Sequence, residues 1–381
     1  MRICIYCEPL RTTTSGTPMR AMIKELLRIR KKDRFSLVVR KGHEQDNILT
    51  TFFDSLKGYT NWELVVDHRP RKLSNVLGLL HYGRYCKVKV DADIYVNPDC
   101  NSLGSKAHPL IVTIHDLSSF RPLQYTSYNS YWQLWLRRFM IRNGISAADK
   151  VVSISDFTKE DIVKTFKTDP GKIRVIYNGI NQEWINQPDV DRARRSSRYW
   201  IWWGMITHRK NLHGLIKAYA QFNKTQSENE TPLLKLVYSN QTFPEALQQF
   251  ISSEGIANKV ILEKSQSLEK LIENVSDSCG LLFPSFIEGF GMPVLEAFAR
   301  GIPVLTSDTT SLQEIAGGLA VMVDPASTAT IVAGLKKIID PATNGIERVA
   351  ERKQYAMQFT PVKAAEKYGL LIDELYERNS S

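Results

Sequence analysis

Short apolar runs alternate along this chain with longer stretches in which apolar residues return every three or four positions. The runs at residues 1–9, 36–39, 63–66, 94–96, 110–114 and 150–153, and one from 172 towards Asn178, predict strands. They show little polar alternation, as strands covered on both faces do. Helix-sized segments between them predict a parallel sheet with helices on each side. Residues 181–198 then turn polar, with Pro188 and the charge run from Asp189 to Arg195, and suit an interdomain linker. A second series of runs follows at 199–203, 233–238, 260–262, 281–283, 302–305 and 320–323. The expected organisation is a first domain over 1–180 and a second over 199–359. A chain of 381 residues is long enough for two such cores.

The densest group of signals lies between Cys279 and Thr306. Residues 281–283 read as a buried strand, Pro293 as the first residue of a helix, Gly301 as its left-handed cap and 302–305 as the next strand. The loop between contains Gly289, Phe290, Gly291 and Met292. Its glycines let backbone approach a ligand closely, and it feeds a helix N-terminus that favours an anion. Glu288 and Glu296 bracket this loop, so a ligand carrying both a phosphate and several hydroxyls fits it, as a nucleotide sugar would. An ordinary βα turn with surface glutamates has the same local pattern. Two similar loops occur elsewhere: one glycine, Gly16, lies between the first strand and its helix, and Gly204 precedes the adjacent cations Arg209 and Lys210. His115 stands at the end of the 110–114 strand, where open α/β sheets bind ligands and where a histidine also serves core hydrogen bonding.

The spacing Glu288-x7-Glu296, with Pro284-Ser285 before it and Gly301-Ile302-Pro303-Val304 after it, resembles the retaining glycosyltransferases of family 4. The strings Arg209-Lys210-Asn211 and Thr113-Ile114-His115-Asp116-Leu117 extend the resemblance, which covers most of the chain. It implies the GT-B fold, an α/β architecture of two doubly wound Rossmann-like domains facing across a cleft, with a last helix (360–381) returning to the first domain. It also implies roles. Glu288 would hold sugar hydroxyls, Glu296 ribose hydroxyls, and the amides of Gly289 to Met292 sugar and phosphate. Arg209 and Lys210 would stabilise the departing nucleoside diphosphate. Gly16, Gly204 and His115 would face the donor. The family retains anomeric configuration without a metal ion, and no other cofactor is implied. Many members carry an arginine directly after the glycine where this chain has Met205. The strings look most like bacterial mannosyl- and rhamnosyltransferases of surface polysaccharide assembly. A hexosyltransferase using GDP-mannose is therefore the first expectation, with UDP- or dTDP-sugars as alternatives and a saccharide or lipid-linked oligosaccharide as acceptor. A nucleotide-sugar epimerase and a non-catalytic sugar-binding subunit are the rival classes.

Composition narrows these readings in three places. Residues 1–185 hold 29 Lys and Arg against 18 Asp and Glu, whereas the remainder holds 21 against 22, so the net charge of +10 belongs to the first half. Two segments concentrate it, 20–34 and 132–142, both helix-patterned. Basic amphipathic helices of this kind suit an anionic membrane surface. Nucleic acid is not expected as a partner, because no binding module is recognisable. Five scattered cysteines make no disulfide framework, and Cys4-x2-Cys7 lacks the second ligand pair of a zinc site. Asp91-x-Asp93 and Asp189-x-Asp191 match a metal-binding tripeptide that is frequent by chance, and a metal site is not expected there. The opening Met1 to Cys7 reads as a strand rather than a leader peptide, and no run reaches the roughly 18–20 apolar residues of a membrane span. A cytoplasmic protein is expected, with peripheral attachment to the inner face of the cell membrane as an option.

Overall fold

The computed structural model describes every residue except 13–14, 69–89, 101–108, 127–129, 188–198, 227–230, 341–342, 344 and 381. The second half of the linker, with Asp189 and Asp191, lies outside the described residues. The chain forms two units. The first comprises residues 1–120, 128–181 and 359–381, and the second 121–127 and 182–358.

The first unit is built on a seven-stranded parallel sheet: β1 (Arg2–Tyr6), β2 (Arg34–Arg40), β3 (Trp62–Asp67), β4 (Ile94–Asn97), β5 (Leu110–Ile114), β6 (Lys150–Ser153) and β7 (Ile173–Val175). Their order is β3-β2-β1-β4-β5-β6-β7, so the direction of winding reverses between β1 and β4. Such a reversal opens a crevice at the carboxyl ends of the strands. The Gly16–Ile29 helix buries Met19, Met22, Ile23, Leu26 and Leu27 against the sheet and against the last helix, Pro361–Ser380, which adds Ala365, Tyr368, Ile372 and Leu375 to the same core. Polar contacts fix this docking. Tyr368 shares a hydrogen bond of 2.7 Å with Thr113, Arg30 donates two bonds to Asp373 (2.9 and 2.7 Å), and Lys150 and Arg174 both reach Glu374. At the start of that helix a Cβ on Gly179 would come within 2.2 Å of the Pro361 nitrogen, so only glycine fits.

The second unit repeats the plan with β8 (Tyr199–Gly204), β9 (Leu233–Tyr238), β10 (Val260–Lys264), β11 (Gly280–Phe283), β12 (Val304–Ser307) and β13 (Val321–Val323), ordered β10-β9-β8-β11-β12-β13 and all parallel. Winding reverses between β8 and β11. Trp200 and Trp202 on β8 are fully buried, as are Leu281 to Phe283 on β11. Both strands are covered on both faces, which is why they read as unbroken apolar runs.

Cys4, Cys7 and Cys100 are buried free thiols. Asp91 and Asp93 both pair with Arg2, and among the described residues no group of three or more metal-ligating side chains is assembled.

Candidate functional site

In the second unit, β8 and β11 with the loops and helix that follow them carry all but two of the expected site residues. They meet at the winding reversal. From β8 the chain passes through Gly204, whose φ of +137° excludes other residues without strain, and reaches a short turn over His208–Lys210. From β11 it passes through Pro284 and Ser285 to Glu288, then turns at Gly291 (φ +114°) into the Met292–Ala299 helix. A Cβ on Gly291 would press within 2.9 Å of Leu312. Pro293 occupies the first turn of this helix, where a missing N–H costs nothing, and the helix N-terminus adds partial positive charge to the loop.

Glu288 is the centre of the charge arrangement. Its side chain is buried and takes Arg209 Nη1 at 2.6 Å on one oxygen and Lys210 Nζ at 2.9 Å on the other. Burial alone would push this carboxyl up, but Arg209 and Lys210 overcome it and hold the group at about 2. Burial and the neighbouring Arg209 lower Lys210, against the pull of Glu288. Its ammonium also lies over the Phe283 ring, 4.4 Å from the centroid. Two cations around one carboxylate leave a surplus of one positive charge, fixed in a buried place. That is a site prepared for an anion.

Glu296, one turn into the helix, has the opposite character. It is partly buried, and desolvation raises it to about 7 despite a hydrogen bond from Trp203 and the nearby Lys210. Two glutamates eight residues apart therefore differ in charge behaviour because only one of them is clasped by cations.

Two residues given no role of their own from the sequence hold this geometry together. Asn211 adopts a left-handed backbone (φ 53°) and donates from Nδ2 to the carbonyls of Pro284 (3.0 Å) and Pro325 (2.7 Å), tying the β8 loop to the β11 loop. Its Oδ1 would lie 2.3 Å from a Cβ on Gly214, so the glycine there makes room for it. Trp203 is the other, through Glu296. An asparagine directly before a helix, where φ > 0 is tolerated, was the available signal for the first.

Gly16 and His115 belong to the first unit. Gly16 begins its helix, and a Cβ there would approach the Leu10 carbonyl oxygen to 2.7 Å, so its bareness is required by its own loop. His115 places Nε2 2.8 Å from the Pro98 carbonyl. A carbonyl only accepts, so Nε2 carries a proton; Nδ1 is buried and has no hydrogen-bond partner. Beside it, Asp99 is buried and pairs with Arg137 at 3.0 Å.

Comparison with known proteins converges on one family. A model for "Glycosyltransferase Family 4" matches residues 91–184, and one for "Glycosyl transferases group 1" continues over 185–357. The chain belongs to the family 4 glycosyltransferases. Among its curated relatives, the O-antigen chain mannosyltransferase RfbU of Salmonella typhimurium is 29% identical over 214 residues, 56% of each chain. The O-antigen chain mannosyltransferase B of Escherichia coli is 25% identical over 261 residues, 65% of this chain and 66% of the relative. The chain thus spans between about half and two thirds of the length of these relatives. In solved structures this glycosyltransferase is similar to Anabaena Alr3699/HepE, described in complex with UDP and glucose (TM-score 0.70, 15% identity, 98% and 100% of the two chains). It is also similar to WaaG, described as involved in lipopolysaccharide biosynthesis (TM-score 0.66, 16% identity, 96% and 98%). At these identities the likeness is one of fold, and the fold is GT-B.

Proposed function

We propose that this glycosyltransferase moves a hexose, mannose from GDP-mannose in the first instance, onto a saccharide or lipid-linked oligosaccharide acceptor during cell-surface polysaccharide synthesis. The observation that carries the proposal is the buried Arg209–Lys210–Glu288 cluster at the winding reversal of the second unit. As the glycosidic C–O bond breaks, negative charge grows on the leaving diphosphate. Arg209 and Lys210 are positive charges already held in place, so they stabilise that charge with little reorganisation. The donor's phosphates take over the two cations from Glu288, whose carboxylate is then available to the sugar hydroxyls. Amides of Gly289 to Met292 and the helix N-terminus complete the phosphate contacts, Gly204 turns the backbone at a φ of +137°, and Glu296 accepts from the ribose hydroxyls.

No carboxylate stands as an evident nucleophile, since Glu288 is engaged with the sugar hydroxyls. Same-face attack by the acceptor hydroxyl, with its proton passing to the leaving phosphate, retains configuration and needs no further group. Mannose is favoured by the names of the curated relatives, and UDP-glucose is the second choice because HepE is described with it. An acceptor carried on a lipid would be met at the cytoplasmic face of the membrane.

The test is transfer of labelled sugar from GDP-mannose, UDP-glucose and dTDP-rhamnose into the lipid phase of a membrane extract, with EDTA present. Label moving from GDP-mannose, with GDP released in equal amount, is the expected result. Isomerised nucleotide sugar without transfer would point to an epimerase, and no turnover of any donor to a binding subunit.

A pH dependence follows from Glu296. A carboxyl raised to about 7 favours the acid form in the fold, so the stability it lends is present below its ordinary value of 4.5 and lost as pH rises through about 7. Ribose hydroxyls prefer the ionised form. Affinity for GDP should therefore rise between pH 6 and pH 8 by up to about tenfold, one pH unit's worth of differential binding. Glu296→Gln should flatten the part of the titration curve that remains after correction for GDP's own ionisation.

A further inference from the structure

Among the described residues, three other than glycine hold a positive φ: Lys167 (54°), Asn211 (53°) and Thr310 (58°). Two of them have ready explanations. Lys167 is the exposed left-handed cap that ends the Asp156–Phe166 helix, and asparagine tolerates this backbone at position 211, where it ties the two site loops together. Thr310 is different. A β-branched side chain crowds its own backbone in this region, and such a residue persists only where its surroundings require it.

Helix capping is not the requirement. Thr310 begins the Thr310–Ala316 helix, but Thr309, at the cap position, makes no capping hydrogen bond. What the strained turn achieves is a grip on Glu288. Thr310 Oγ1 accepts from the Glu288 amide at 3.4 Å, and Ser311 Oγ donates to the Glu288 carbonyl at 2.9 Å. Both backbone polar groups of the residue at the centre of the site are thus held by two consecutive hydroxyls.

The residues just before them hold the rest of the loop. Thr306 Oγ1 donates to the Phe283 carbonyl (3.0 Å) and Ser307 Oγ to the Ser285 carbonyl (2.6 Å). Thr306, Ser307 and Ser311 are fully buried, and Leu312 lies against the turn at Gly291. Glu288 itself lies between the end of β11 and the Met292–Ala299 helix, where no strand or helix ladder fixes its backbone. Its carboxylate nevertheless has to sit between Arg209 and Lys210, so an outside grip on its peptides decides where it points.

We propose that Thr310 is a positioning residue for transfer: its strained turn, with Ser311, fixes the backbone of Glu288 so that the carboxylate meets the sugar hydroxyls in one orientation. The inference rests on the role given to Glu288 above and adds what sets that residue in place.

The test compares three variants of the full chain. Thr310→Ser keeps the hydroxyl and sheds the branch, Thr310→Val keeps the branch and loses the hydroxyl, and Thr310→Gly loses both. Thr310→Gly should melt higher than wild type, because the crowding is relieved, yet lower kcat for sugar transfer at least about tenfold, as misplacement of a catalytic group does. Its affinity for GDP should not fall, since Arg209 and Lys210 remain. Thr310→Val should melt lower and lose transfer to a similar extent, whereas Thr310→Ser should transfer sugar as wild type does. A residue needed only for folding would move stability and activity in the same direction. Hydrogen exchange followed by mass spectrometry reads the grip without any substrate: exchange of the Glu288 amide should quicken at least about tenfold in Thr310→Val and Thr310→Gly and stay slow in Thr310→Ser. Unchanged exchange in Thr310→Gly and Thr310→Val, or wild-type kcat in Thr310→Gly, overturns the proposal. Absence of turnover by wild type with every donor would contradict the transfer reading instead, and exchange and melting would then decide the role of Thr310 by themselves.

Discussion

Replacing Lys210 with alanine is expected to lower kcat/KM for sugar transfer by about 10²–10³-fold, the loss found when one preorganised donor to a developing anion is removed. The ammonium is buried, fixed by Glu288 at 2.9 Å and by the face of Phe283, and is not free to be replaced by solvent cations. With Lys210 gone, Glu288 keeps Arg209 at 2.6 Å, so the carboxylate is still paired and the fold should survive. The cluster's net charge falls from plus one to zero, and with it the attraction for a diphosphate. Initial rates over a range of donor concentrations check this, alongside thermal unfolding of the variant without ligand. The expected pattern is a melting temperature close to wild type with both kcat and donor affinity reduced.

Glu288→Ala is expected to behave in the opposite sense on binding and in the same sense on transfer. It leaves Arg209 and Lys210 side by side in a buried place, and breaking a buried pair by removing one partner costs about 3–5 kcal/mol. The ligand-free variant should therefore melt lower. Inorganic pyrophosphate should restore more stability to it than to wild type, because the phosphate no longer competes with the carboxylate for the two cations. Sugar transfer should nevertheless be lost with the contact to the hydroxyls. Acid titration gives a second readout of the pairing. A carboxyl held at about 2 rather than 4.5 contributes stability above 4.5 that is lost as pH falls through about 2, and Glu288→Gln should lack that component. Calorimetric unfolding with and without pyrophosphate, at neutral pH and down the acid range, measures both.

The strands were legible because parallel strands buried on both faces read as continuous apolar runs, and the site loops because glycine, proline and paired charges punctuate them. Glu288, Arg209 and Lys210 were each expected from the sequence as site residues, but not as one another's partners. They lie 79 and 78 residues apart in the sequence, and what joins them is the adjacency of β8 and β11 at the winding reversal. The low position of Glu288 and the high position of Glu296 likewise depend on which carboxylate meets cations in space. Gly16 was expected to face the donor, and the Leu10 carbonyl of its own loop is enough by itself to require a glycine there. The basic segment at 20–34 was expected to face a membrane; within it, Arg20 is turned to the Leu10 carbonyl and Arg30 to Asp373, pairings that local sequence does not give. Local pattern carries propensity; pairing needs topology.

We propose that Arg209 and Lys210 in the second unit hold the diphosphate of a nucleotide sugar. The most direct test is isothermal titration of GDP, and in parallel UDP, dTDP and ADP, into wild type and Lys210→Ala with EDTA present. Wild type should bind one of these nucleotides saturably, with binding weakened at least about tenfold in the variant, a difference of about 1.4 kcal/mol. Equal binding by the two proteins, or no binding of any nucleotide by wild type, would contradict it.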